Sequence, residues 1–173
     1  MKIEALTSAR LCIRNFEKTD INSDYLSWLA DPEVVKYSSQ RHVSHTVESA
    51  QAYWLSFEQS VNSFLLLLTR QGEPLGTMTL YRDLQSQVVD MGILIGNRSI
   101  WGLGYGSEAW GTMIDYLFAS GTRKITAGTL SVNLGMLKIM EKHQMQDDGV
   151  RRQHVYYEGN YVDQIHRARF KGG

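Results

Sequence analysis

Asn97-Arg98-Ser99-Ile100-Trp101-Gly102-Leu103-Gly104-Tyr105-Gly106-Ser107-Glu108-Ala109 is the stretch on which the fold turns. It follows an apolar run, residues 88–95, broken only by Asp90. It leads into Ala109, Trp110, Met113, Ile114, Leu117 and Phe118, spaced for one face of a helix that Gly121 ends. Glycines between a strand and a helix let the backbone turn tightly and let a ligand approach the main chain. The first helical turn adds unpaired N–H donors and the positive end of the helix dipole. Together these suit a phosphate or pyrophosphate, and the plain alternative is a glycine-rich turn without a ligand.

Working outward, residues 63–69 and 74–81 read as strands joined by Arg70-Gln71-Gly72-Glu73, a hairpin signature. A polar turn over 83–87 precedes the strand at 88–95. Further upstream, 11–16 reads as a strand, 20–29 and 46–60 as helices, and 37–45 as a polar loop. Ala50, Tyr53, Trp54 and Phe57 recur at helical spacing, with Thr46 as a cap ahead of Glu48. Downstream come a strand at 124–130, a helix at 134–143, and a closing hairpin of 150–157 and 161–170 around Glu158-Gly159-Asn160. The order predicts an α/β (α+β) fold, with a mixed, mostly antiparallel central sheet flanked by helices, in one domain over 1–173.

Two glycine-loop folds are excluded by this context. A P-loop requires Lys-Ser/Thr after its last glycine, where Ser107-Glu108 stands. A dinucleotide loop requires Gly-x-Gly-x-x-Gly in the first unit of a parallel sheet. Here the spacing is Gly102-x-Gly104-x-Gly106, after antiparallel strands.

Composition narrows the classes further. Lys and Arg number 18, as do Asp and Glu, so no general grip on nucleic acid or an anionic membrane is implied. The longest apolar stretch, 64–68, is too short to span a bilayer, and the first residues lack a signal peptide's apolar core; a cytoplasmic protein is expected. The one cysteine, Cys12, lies between Leu11 and Ile13 and reads as a core thiol.

Trp101-Gly102-Leu103-Gly104-Tyr105-Gly106 resembles the coenzyme A pyrophosphate signature of the GNAT acetyltransferases, Gln/Arg-x-x-Gly-x-Gly/Ala, with Trp101 at the opening position. Trp-Gly-x-Gly-Tyr-Gly followed by Glu-Ala is similar to the branch containing the ribosomal-protein N-terminal acetyltransferases. So are 11–20 with Arg14 and Asp20, 28–37, 72–79, and 133–145. The resemblance implies acetyl-CoA as cosubstrate, no metal, and an amine acceptor; a homodimer is allowed. It places Gly102, Leu103, Gly104, Tyr105, Gly106 and Ser107 at the pyrophosphate. The main chain at Leu94 and Gly96 would lie along the pantetheine arm, with the Leu94 N–H polarising the thioester, and Asn133 would contact pantetheine by its amide. N-capping alone also explains Asn133.

The chain departs from the family in three places. Gln144-Met145 replaces a closing Gly-Phe, Met140 replaces a frequent catalytic tyrosine, and Met136 replaces a serine common in the ribosomal-protein branch. Met136 and Met140, one helical turn apart, read as core packing.

Acetylation also needs a base for the ammonium. Asp90 interrupts an apolar strand eleven positions before Trp101, the offset at which many GNAT enzymes carry a catalytic Glu. A strand-end carboxylate facing water is the alternative. His42 and His45 would border the acceptor cleft, and their spacing without a further ligand does not make a metal site. His143 suits a helix C-terminus, and His154 and His166 have no evident partner in sequence. Residues 37–42 followed by His45-Thr46-Val47-Glu48-Ser49, with Arg123 to Thr129 later, are similar to relatives acting on nucleotide-linked amino sugars. A protein N-terminus, or coenzyme binding without catalysis, are the alternatives.

Overall fold

The computed structural model describes residues 1–172. The elements are β1 (Leu6–Thr7), β2 (Leu11–Asn15), α1 (Ser23–Ala30), α2 (Pro32–Val35), α3 (Val47–Glu58), β3 (Ser63–Thr69), β4 (Pro74–Asp83), β5 (Val88–Ile95), α4 (Tyr105–Ala119), β6 (Lys124–Leu130), α5 (Leu134–Lys142), β7 (Gln146–Tyr157) and β8 (Asn160–Phe170). All eight strands form one sheet in the order β1-β2-β3-β4-β5-β6-β8-β7. Every pairing is antiparallel except that of β5 with β6.

Strand alternation divides the core. Leu65 and Leu67 of β3, Met78 and Leu80 of β4, and Val89 and Met91 of β5 pack with Trp110, Met113, Ile114 and Leu117 of α4. Phe64 and Leu66 turn to the other face, where Phe16, Tyr25, Trp28, Leu29 and Phe57 join α1, α2 and α3 to the sheet. The apolar stripe read into α4 is this buried face.

Several boundaries differ from the sequence reading, each for a local reason. The first helix starts at Ser23, because Asp20 closes a short 3-10 turn and Asn22 caps α1 by accepting the Tyr25 N–H at 3.1 Å. The 37–45 loop holds a 3-10 turn at Ser39–His42. Thr46 does cap α3, but its reciprocal partner is Ser49 rather than Glu48. β7 begins at Gln146, four residues earlier than expected. It is an exposed edge strand with register shifts near Gly149 and Gln153, so it has no buried alternation to read. Among the described residues no helix is long and apolar enough to cross a membrane.

Candidate active site

β5 and β6 touch along only three rungs, Val88–Lys124, Val89–Ile125 and Asp90–Thr126. Beyond Asp90, β5 stays paired with β4, and beyond Thr126, β6 stays paired with β8. The two parallel strands therefore splay apart toward their C-terminal ends. Such a crevice is where open α/β sheets place ligands. The glycine loop leaves β5 at this mouth and feeds α4.

The loop's conformation needs its glycines at two points. Gly102 and Gly104 have φ of +78° and +84°, the left-handed region. Gly104 is the N-cap of α4 and offers no side chain to its first turn. Among the described residues the N–H groups of Gly104, Tyr105, Gly106 and Ser107 have no acceptor in the protein; the first N–H turned inward is that of Glu108, to the Gly104 carbonyl at 3.0 Å. A 15-residue helix thus aims uncapped donors at the crevice.

Arg10, which sequence reasoning missed, braces this loop from the β1–β2 turn. Its guanidinium donates to the Leu103 carbonyl at 3.0 Å and to Glu108 Oε2 at 2.6 Å, and lies 4.1 Å from the Tyr105 ring centroid. Glu108 Oε1 also accepts the Arg10 N–H and the Ser8 hydroxyl. These bonds hold the Glu108 carboxyl below its ordinary value despite some desolvation. No local pattern marks Arg10, because its partners lie about a hundred residues away.

The indole N–H of Trp101 donates to the Ile95 carbonyl at 3.0 Å, and Arg98 lies over its ring while pairing with Asp31. Ser107 is buried, its hydroxyl 3.0 Å from His143 Nε2, which also bonds the Ser107 carbonyl at 2.8 Å. His143 thus ties the end of α5 to the start of α4; desolvation lowers its pKa. A side chain at Gly111 would crowd that ring, its Cβ 2.6 Å from Cε1.

Two expectations for the strand are corrected by its geometry. The Gly96 N–H donates to the Leu75 carbonyl at 2.9 Å, while the Ile95 carbonyl faces Trp101. Main-chain groups of successive strand residues point to opposite edges. Leu94 and Gly96 therefore face β4, and Ile93 and Ile95 face the crevice. A Cβ on Gly76 would fall on the Leu94 carbonyl, which agrees. The Leu94 N–H is turned toward β4 and the Gly96 N–H is engaged by Leu75, so neither is presented to the crevice. Gly96 is glycine for another reason: a Cβ there would fall inside the Trp28 indole.

Asn133 caps α5, accepting the Met136 N–H at 3.2 Å, while its Nδ2 donates to Thr129 Oγ1 at 3.0 Å. Both ends of its amide are engaged within the protein. Met140 is fully buried and Met136 packs beside it, as core packing requires. Gln144 takes φ of +57°, so the left-handed turn after α5 is kept without glycine, and Met145 is buried where a phenylalanine is usual in the family. Cys12 is half-buried.

Asp90 stands on the last shared rung, and its Oδ2 accepts the Thr126 hydroxyl at 2.8 Å. It is exposed to solvent, yet the surrounding protein desolvates it enough to raise its pKa. The Thr126 bond and the nearby His166 imidazole oppose that rise. His42 and His45 border a different feature, a cleft of about 650 Å³ between α1–α2, the 3-10 turn and the β7–β8 hairpin. Lys36, Arg41, Tyr157 and Glu158 also line it. His45 Nε2 lies 2.9 Å from the Gln40 carbonyl, and Arg41 reaches over the Tyr157 ring. Among the described residues no group of His, Cys, Asp and Glu is placed to hold a metal.

A mixed sheet whose one parallel pair splays beneath an uncapped, glycine-entered helix defines an α/β fold with an anion-receptive crevice. The chain belongs to the acetyltransferase (GNAT) domain family, whose model matches residues 10–146. An uncharacterized N-acetyltransferase of Bacillus licheniformis, p20, is 28% identical over 167 residues, 93% of each chain. A GNAT-family acetyltransferase from Bacillus anthracis superposes with a TM-score of 0.83 at 20% identity, over 98% of this chain and 100% of that one. A spermidine N-acetyltransferase from Vibrio cholerae, in complex with CoA and spermine, gives 0.83 at 14% identity, over 95% and 97%. A ribosomal-protein alpha-N-acetyltransferase in complex with coenzyme A gives 0.83 at 16%, over 96% and 98%. The chain is an N-acetyltransferase of this family, and the mixed sheet expected from its sequence is the family's fold.

Proposed function

We propose that the protein transfers an acetyl group from acetyl-CoA to a primary amine by direct attack within a ternary complex. The observation that carries this reading is the set of free N–H groups from Gly104 to Ser107, aimed into the β5–β6 crevice. They suit a pyrophosphate, with Gly102, Leu103 and the Trp101–Ile95 bond fixing the approach. The crevice edge of β5, at Ile93 and Ile95, pairs with the pantetheine amides as an added strand would. An N–H of that edge donates to the thioester oxygen as charge develops there. Asp90, at the crevice vertex with a raised pKa, takes part in removing the ammonium proton.

The acceptor enters through the 650 Å³ cleft. Its lining sets Lys36, Arg41, His42 and His45 against a single carboxylate, Glu158. A polyamine carries only positive charge and needs carboxylates for recognition, so this lining disfavours it. It suits an amine that also carries phosphate or hydroxyl groups, and tyrosine faces at Tyr156 and Tyr157 suit a sugar or base. We read the acceptor as a nucleotide-linked amino sugar. The relative acting on ribosomal protein keeps a peptide N-terminus as the second reading. A thiol-release assay with acetyl-CoA and three amines decides between them: a nucleotide-linked amino sugar, a peptide with a free N-terminus, and spermidine. Highest turnover with the amino sugar is expected; turnover confined to the peptide or spermidine overturns this choice of acceptor.

A further inference from the structure

We propose that His166 is a second catalytic residue of the acceptor site, accepting at Nε2 the proton that the acceptor ammonium gives up beside Asp90. This inference rests on the proposed acetyl transfer and assigns a proton path within it. Three strands bring the group together. Thr126 of β6 pairs in register with Asp90 of β5 and donates its hydroxyl to Asp90 Oδ2. Two residues on, and so on the same face, Gly128 pairs with His166 of β8.

The His166 ring leans back over Gly128, toward β5: a Cβ on Gly128 would lie 3.2 Å from Cε1 and 3.3 Å from Nδ1. A Cβ at 128 would press the ring aside by a few tenths of an ångström. Gly128 lies past the last β5–β6 rung, so the ring stands at the opening of the crevice, on the Asp90 side of the sheet. There Nε2 is buried and has no hydrogen-bond partner among the described residues. A buried imidazole nitrogen left without a partner is costly. A substrate N–H at this position would supply one.

The other charged groups of β8 serve elsewhere. Asp163 accepts the Gln153 N–H at 2.7 Å, Arg167 pairs with Asp147, and Arg169 lies over the Phe118 ring of α4 on the opposite face. Asp90 is the carboxylate on this face whose acidity the nearby His166 imidazole influences. In the proposed step the ammonium gives one proton to neutral His166, while Asp90 holds the nitrogen by a second N–H. The nitrogen lone pair forms the C–N bond to the thioester carbonyl carbon, and the C–S bond breaks. The departing sulfur takes the nitrogen's surplus proton, and His166 later returns its own to water. The products are the acetamide, the free thiol of CoA and one proton.

Two measurements test this on the full chain. The first compares the His166 ring Cε1–H resonance by NMR at pH 7 in wild type and in Asp90→Asn. A moved resonance is expected, because removing the carboxylate changes the field at a ring beside it; an unmoved resonance overturns the pairing. The second compares wild type with His166→Gln, using whichever of the three assayed amines turns over fastest. The expected result is a kcat lower by about a hundredfold, an unchanged KM for acetyl-CoA, and a displaced acidic limb of the pH–rate profile. Wild-type kcat and profile in His166→Gln overturn the proposal; if that variant does not fold, His166→Asn is read by the same criteria. A wild-type protein that binds no acetyl-CoA defeats the acetyl-transfer reading instead, and the NMR comparison still decides whether Asp90 and His166 share a site.

Discussion

Replacing Gly104 by valine separates the two jobs of the glycine loop. Gly104 has φ of +84°, where a side chain costs about 1–2 kcal/mol, with a β-branched residue at the upper end. No clash adds to this, since an added Cβ would meet only Arg10 Nη2, at 3.5 Å. At about 2–4 °C per kcal/mol for a chain of this size, the melting temperature falls by roughly 2–8 °C. The second effect falls on binding, because the valine methyl groups screen the N–H groups of Gly104 and Tyr105 from a phosphate. One lost hydrogen bond to a charged group is worth about 1.5–3 kcal/mol, a loss of affinity of roughly tenfold to a hundredfold. Gly72→Val is the control: it has φ of +92°, lies in the turn between β3 and β4, and has open space around its Cβ position. It pays the same backbone strain far from the crevice. Calorimetric titration with acetyl-CoA, beside thermal melts of both variants, reads the two effects separately. Wild-type affinity in Gly104→Val, or an equal loss in Gly72→Val, refutes the reasoning.

Asp90→Asn should lower turnover by about a hundredfold while melting no lower than wild type at neutral pH. A carboxyl whose folded pKa lies above its unfolded value of 3.8 loses stability as pH rises through that interval, so removing the charge does not destabilise. Full turnover, or a lower melting temperature at pH 7 than in acid relative to wild type, contradicts this. Gly96→Ala should destabilise by about 1–3 kcal/mol, because the new methyl displaces the buried Trp28 ring; a neutral denaturant midpoint would show the contact misjudged. Gln144→Gly should raise stability by about 0.5 kcal/mol, since φ of +57° strains glutamine more than it costs glycine in chain entropy. A fall in the melting temperature would contradict it.

The apolar patterns were sufficient for most of the fold, since α4 buries a regular face and β3, buried on both faces, reads as a continuous apolar run. β7 escaped the reading at its start because neither of its faces is buried there, and α2 because Pro32–Val35 is a single turn. The glycine loop was legible as a ligand site from local spacing alone. The edge of β5 that faces the crevice was not. Which main-chain groups point outward depends on the register with β4, and on the bonds of Gly96 and Trp101, none of which a strand's own residues reveal. The same holds for Arg10 and His166. Each reaches the site from a distant segment, and an isolated arginine or histidine carries no signal until the sheet sets its neighbours.

The central claim is that the N–H groups at the start of α4 hold the cosubstrate's pyrophosphate. Amide NMR reads those groups directly, during titration with acetyl-CoA and, separately, with S-acetylpantetheine, which lacks the pyrophosphate. The amides of Gly104, Tyr105, Gly106 and Ser107 are expected to move with acetyl-CoA and to stay nearly still with S-acetylpantetheine. Unmoved amides at these four residues, with acetyl-CoA bound to saturation, would contradict it.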